Sequence, residues 1–217
     1  MGNFVEANVS VESNGGAALD LVINALDHDG FVTLRLSKRS EAVVLSKLLG
    51  EIMCETQVRI GSARTYLSKP DAIPPHTDHP DARFITWYCN KSDNSGAGAI
   101  RLVDAHAIID SMPVALMHEL SSLQIACPTL LGIEPAGTYP LYNMNARKVF
   151  YAPWLCDYFR STKALLEFEK RVGEAEQLQI PLMDIGDTLI VDNSRMLHFR
   201  DAIHADSQRW LTRYWIG

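Results

Sequence analysis

Beyond residue 80 most of the chain breaks into short β-prone runs separated by turn residues, and this spacing limits the possible folds more than any other feature. Residues 83–90, 99–104, 123–127, 147–151, 188–192, 196–200 and 209–216 are strand-like, as is 57–67 before them. Turns are supplied by Asn94-Ser95-Gly96 and Glu134-Pro135-Ala136-Gly137. Ahead of these runs, residues 17–28 carry helical apolar spacing and stop at Asp29-Gly30. Residues 31–36 then alternate like a strand with one buried face, and 40–54 read as a second amphipathic helix entered by Ser37 or Ser40. Residues 158–176 form a third helix with charged faces. Many short strands braced by helices predict a mainly β fold with flanking helices, an antiparallel barrel or sandwich. No repeat, low-complexity tract or linker divides residues 1–217, so a single domain is expected.

The balance of residues fits a globular chain that needs no staple. Apolar residues make up 47% and charged residues 21%. The formal charge is −6 with no block of Lys or Arg. A phosphate backbone calls for a basic stripe, so no nucleic-acid partner is expected. No run approaches the roughly 18 apolar residues of a membrane span, so no membrane partner is expected either. The N-terminal stretch lacks an apolar signal core, and Glu6 stands where a myristoylation motif wants Ser or Thr. Cys54, Cys89, Cys127 and Cys156 are far apart, which disfavours a zinc knuckle. Buried, reduced thiols in a cytoplasmic protein are the expectation.

Two segments carry chemistry. In Pro74-Pro75-His76-Thr77-Asp78, residues i and i+2 of an extended backbone share a face, so His76 and Asp78 can present an imidazole and a carboxylate to one ion. With a second histidine they would form the facial triad of non-haem Fe(II) sites. H-x-D alone is a weak signal. The second segment runs from Gly186-Asp187 through Asp192-Asn193-Ser194-Arg195 to His198, followed by Arg209 and Arg213. His198 lies in an apolar stretch, where a core histidine bonded to backbone is the plain alternative. Arg209 and Arg213 are four apart and share a strand face. Two guanidiniums aimed into a barrel need anions, and a dicarboxylate bound bidentately is the natural partner. The alternative is that either one reaches the surface or pairs with Asp201 or Asp206.

An early H-x-D, a later G-D…D-N-x-R-x-x-H and a C-terminal arginine resemble the taurine dioxygenase and clavaminate synthase-like superfamily of Fe(II)/2-oxoglutarate oxygenases. The resemblance runs from about His76 to Trp215. It implies a double-stranded β-helix, the cupin-like jelly-roll. It also implies Fe(II), 2-oxoglutarate and O2 as cofactor and cosubstrates, with His76, Asp78 and His198 as iron ligands. Arg209, eleven residues after His198, matches the arginine that binds the distal carboxylate of 2-oxoglutarate. Arg213 matches the one that in some members binds the substrate's acidic group. Other branches place the cosubstrate arginine a few residues later, which would exchange the two roles. Many members have Thr after the Gly-rich turn where this chain has Ala99, and Thr86 or Arg101 is the candidate replacement. The resemblance implies oxidation of a small polar molecule, hydroxylation by default, with desaturation, cyclisation or epoxidation using the same residues. An amino acid or related carboxylate is the expected substrate.

Related halogenases lack the carboxylate ligand, and Asp78 speaks against that activity. A non-catalytic jelly-roll that binds a small ligand remains the competing class, and a zinc hydrolase would leave both arginines unexplained. Among other residues, Asp192, Asn193 and Arg195 read as supports for the ligands, and His79 as a solvated loop histidine. Arg147 is as well placed on the surface as beside a substrate. Trp87, Tyr88, Trp210 and Trp215 read as barrel core.

Overall fold

The computed structural model describes residues 7–8, 11–61, 66–92, 98–127, 137–181 and 184–217. The Asn94-Ser95-Gly96 turn, residues 134–136 of the second turn and residues 62–65 of the strand expected at 57–67 lie outside the described residues. The chain opens with β1 (Ala7–Asn8), α1 (Val11–Asp29), β2 (Phe31–Arg35), α2 (Arg39–Leu49) and β3 (Ile52–Arg59). β4 (Ile73–His76), β5 (Phe84–Lys91), β6 (Ile100–Asp104), α3 (Ala105–Asp110) and α4 (Val114–Ser122) follow. Then come β7 (Gln124–Cys127), β8 (Gly137–Pro140), β9 (Tyr142–Asn143), β10 (Lys148–Val149) and α5 (Lys163–Glu174). β11 (Leu178–Ile180), β12 (Asp187–Asp192), β13 (Met196–Arg200) and β14 (Trp210–Ile216) complete it.

A six-stranded sheet in the order β1-β2-β12-β5-β14-β3 faces a four-stranded sheet in the order β11-β6-β13-β4, the mainly β fold with flanking helices expected above. Strand alternation decides what lies between them. Ile85, Trp87 and Cys89 of β5, Leu189 and Val191 of β12, and Leu211 and Trp215 of β14 pack inward against Ile100, Leu102, Ile180 and Met196. The other parity, Phe84, Tyr88, Ile190 and Tyr214, points out to Val22 and Leu26 of α1 and Leu45 of α2. On the far side, α3, α4 and α5 cover the outer face of the four-stranded sheet, with Ile109, Leu120 and Phe168 packed on Val103 and Leu197. No helix among the described residues is long and apolar enough to cross a membrane.

Several boundaries differ from the sequence reading. The first helix begins at Val11 rather than 17, and the strand expected at 57–67 runs instead over Ile52–Arg59. The second helix stops at Leu49 rather than 54, because Gly50 passes so close to the C-terminal backbone that a Cβ would meet the Gly217 carbonyl. At its start Ser37 donates through both its N–H and its hydroxyl to Glu41. Residues 105–122, not assigned from sequence, form α3 and α4, divided at Met112-Pro113, with the Asp104 carboxylate accepting from Ala107 N–H as the α3 cap. The third helix begins at Lys163, five residues later than expected, after short turns at Pro153–Leu155 and Asp157–Phe159.

Gly186 knots the wide sheet together. Its carbonyl accepts from Leu36 N–H and its own N–H donates to Cys89 O, both at 3.0 Å. Its φ is +93°, and a Cβ would lie 2.1 Å from the Leu36 carbonyl oxygen. Gly186→Ala is therefore expected to destabilise the fold by more than about 1 kcal/mol, read as a lower urea midpoint at unchanged slope.

Candidate metal centre and adjoining cavity

The site begins where two strands of the narrow sheet lie side by side. His198 of β13 is registered against His76 at the end of β4, and their rings approach to 4.4 Å between centroids. Asp78 is not on a strand. It sits two residues past β4 in a segment fixed from both sides. Thr77 N–H donates to Tyr151 O at 2.7 Å, and Asp78 N–H donates to the Asn193 side-chain oxygen at 2.7 Å. The Asn193 amide in turn donates to the carbonyls of His79 and Ala82. Asn193 thus ties the H-x-D segment to the turn before β13. Arg195 joins Asp104 to the carbonyls of Asp27 and His28, a purely architectural role.

One ligand atom from each of His76, Asp78 and His198 lies within 4.8 Å of the others, and all three residues are buried. His76 Nε2 is 3.8 Å from Asp78 Oδ1, and His198 Nε2 is 3.6 Å from Asp78 Oδ2. These separations are too long for hydrogen bonds and suit three groups converging on one ion. Among the described residues neither ring nitrogen of His198 has a hydrogen-bond partner, although the residue is 4% exposed. His76 Nδ1 lies 2.8 Å from Pro74 O, which leaves Nε2 turned toward Asp78. Two imidazoles and one carboxylate on one face fit a first-row divalent metal with open positions.

The carboxylate already has a cation. Arg213 donates to both Asp78 oxygens at 3.0 and 2.8 Å, and Trp215 Nε1 donates to Oδ2 at 2.9 Å. Burial alone would push the Asp78 carboxyl up, but Arg213 and the two imidazoles hold it well below the usual range. Burial, reinforced by His198, pushes the His76 imidazole down to about 3. An unfolded histidine ionises near 6.5, so between about 3 and 6.5 the unfolded chain binds more protons at this position. Stability then rises with pH across that window and is lost as the pH falls from about 6.5 toward 3. The melting temperature of the metal-free protein should follow that course, and His76→Phe should flatten it.

Beside the triad opens a small cavity. Trp87, Ile73, Leu67 and Leu211 give it apolar walls, and Arg200, Arg209 and Arg213 line it as well. Arg209 lies just before β14 against Gly98: a Cβ there would fall 3.0 Å from its guanidinium and 2.6 Å from Ile203. Arg209 and Arg213 thus share the inward face as expected, but Arg213 is committed to Asp78 rather than free for an incoming acid.

Thr86 does not join the site. Its parity on β5 is opposite to that of Trp87, and its hydroxyl accepts from Ser46 of α2 at 3.3 Å. Arg101, the other candidate for the missing threonine, bonds Gln177 and Asp201 on the outer surface. Arg147 pairs with Asp110 at the surface. His79 is buried rather than solvated, 5.9 Å from the Trp215 ring. Trp215 was read as core and bonds Asp78. Trp154 was not singled out, and its ring lies 5.1 Å from that of His76. None of the four cysteines is in a disulfide, and Cys89, Cys127 and Cys156 are buried as expected, whereas Cys54 is half-buried.

No protein-family model matches the sequence, and comparison with curated proteins gives no match. Solved structures do match in fold. An asparagine oxygenase in complex with Fe(II), (2S,3S)-3-hydroxyasparagine and succinate superposes with a TM-score of 0.72 at 16% identity, over 92% of this chain and 79% of that one. The non-haem iron oxygenase OrfP gives a TM-score of 0.71 at 15% identity, over 93% and 81%. PvcB, an Fe, α-ketoglutarate-dependent oxygenase from an isonitrile synthetic pathway, gives 0.62 at 14%, over 91% and 79%. The chain therefore has the jelly-roll fold of these non-haem iron oxygenases.

Proposed function

We propose that the protein is an Fe(II)- and 2-oxoglutarate-dependent dioxygenase that hydroxylates a small amino-acid-like substrate, releasing succinate and CO2. The observation that carries the proposal is the buried His198, with no hydrogen bond at either nitrogen, facing Asp78 and His76 at the mouth of an arginine-lined cavity. His76, Asp78 and His198 hold the iron. Bound Fe(II) and 2-oxoglutarate supply the oxidising chemistry that consumes O2. Arg209 takes the distal carboxylate of 2-oxoglutarate with its planar fork. Arg213 and Trp215 orient Asp78 and offset its charge. Trp87, Leu67 and Ile73 keep water from the cosubstrate, strengthening each charged contact.

The substrate class rests on analogy. The asparagine oxygenase is complexed with hydroxyasparagine, and OrfP with (3S)-hydroxy-L-Arg. A cytoplasmic location is part of the proposal and is supported by four cysteines that form no disulfide. The test is anaerobic addition of Fe(II) and 2-oxoglutarate, followed by oxygen and a panel of amino acids. A visible absorption band on mixing and substrate-stimulated succinate formation are expected. A band without succinate from any panel member would favour a ligand-binding jelly-roll, and the absence of both would end the proposal.

A further inference from the structure

Arg200 follows His198 by two residues on β13, so the two side chains share the inward face. It is registered against Ile73 on one side and Ile100 on the other, and all three residues line the cavity. Only 6% of it is exposed. Its guanidinium donates to the carbonyls of Asp201 at 3.1 Å and Lys69 at 2.5 Å, but among the described residues no carboxylate bonds it. Asp71 acts on it only through space, and burial works against its charge. Arginine does not shed its proton in proteins, so the cation stays and its desolvation must be offset otherwise. Two carbonyls take two of the five N–H donors. The rest of the fork borders the cavity, and the Asp78 carboxylate of the neighbouring triad is already held by Arg213.

Arg200 and Arg209 lie at the same end of that cavity. Arg209 packs against Gly98 beside Ile203. Ile203 N–H donates to Pro70 O at 2.8 Å, next to the Lys69 carbonyl that holds Arg200. Ala99, where many members of the family that the sequence resembles have Thr, adjoins Ile100, the residue paired with Arg200. We infer that Arg200 is the second arm of a two-arginine clamp on the distal carboxylate of the cosubstrate, taking the place of the absent hydroxyl. The inference rests on the 2-oxoglutarate reading given above. It makes the cavity selective for dianionic 2-oxo acids over monoanionic ones, because both arginines face the end of the molecule that carries the second charge.

The experiment compares 2-oxoglutarate with 2-oxopentanoate, which has the same chain length but no distal carboxylate. Both are titrated calorimetrically into the Fe(II)-loaded protein without oxygen. The wild type should prefer 2-oxoglutarate strongly. Arg200→Met should weaken 2-oxoglutarate by roughly tenfold or more and leave 2-oxopentanoate almost unchanged, so the preference collapses. Arg200→Lys keeps a charge without the fork and should restore part of the preference. An Arg200→Met variant that discriminates as well as the wild type would overturn the clamp, as would equal loss of both ligands, which is the mark of a loop staple. If Arg200→Met does not fold, full discrimination by Arg200→Lys would equally count against it. A wild type that binds neither acid would sink the 2-oxoglutarate reading itself, and the clamp with it.

Discussion

Alanine in place of His198 is expected to strip the protein of iron and of 2-oxoglutarate turnover while leaving its fold standing. Changing a group that only supports a metal ligand costs about 10–100-fold in affinity, so removing a ligand should weaken Fe(II) binding by at least about 100-fold. The fold should survive because the imidazole makes no hydrogen bond, so its removal orphans no partner. The backbone pairings to His76 and Leu102 do not depend on the side chain. The lost volume also opens into an existing cavity rather than a sealed core. Metal analysis of the purified variant, its circular dichroism and its succinate yield are the measurements. Full iron content with undiminished turnover would mean that His198 is an ordinary core histidine.

The H-x-D pair was legible because its chemistry is local, yet the reason for its geometry was not. The i, i+2 argument assumed a strand through Asp78, whereas β4 ends at His76. Asp78 is aimed instead by Asn193, 115 positions away in the chain. Such long-range holding leaves no period in a sequence. Strand parity, by contrast, is legible at two places without saying which face is inward. Trp87 and Thr86 are neighbours on β5 and must face opposite ways, and only the structure shows that the tryptophan points inward. Arg200 follows His198 by two and must share its face, but a lone arginine at a strand end reads as a surface cation. The helical pair at 105–122 was missed because each half is short and Pro113 breaks the apolar spacing. The sheet order was open as well, since neighbours such as β12 and β2 are far apart in sequence.

Arg213→Met should produce the second large effect, and it separates two roles for one residue. The sequence favoured contact with the substrate's acidic group, whereas the structure joins Arg213 to both oxygens of Asp78, with 2% of the arginine and 6% of the aspartate exposed. Removing one partner of a buried ion pair strands the other and typically costs about 3–5 kcal/mol. For a chain of this size each kcal/mol moves the melting temperature by about 2–4 °C, so the metal-free variant should melt roughly 6–20 °C lower. Trp215 would remain as the single donor to a carboxylate no longer held on both oxygens. Metal affinity should therefore fall by about 10–100-fold, the size seen when a ligand loses its orienting partner. Adding Asp78→Asn removes the stranded charge, and the double variant should be more stable without metal than Arg213→Met alone. If Arg213→Met kept wild-type stability and metal affinity and changed only the KM for substrate, the arginine would answer to the substrate and not to Asp78.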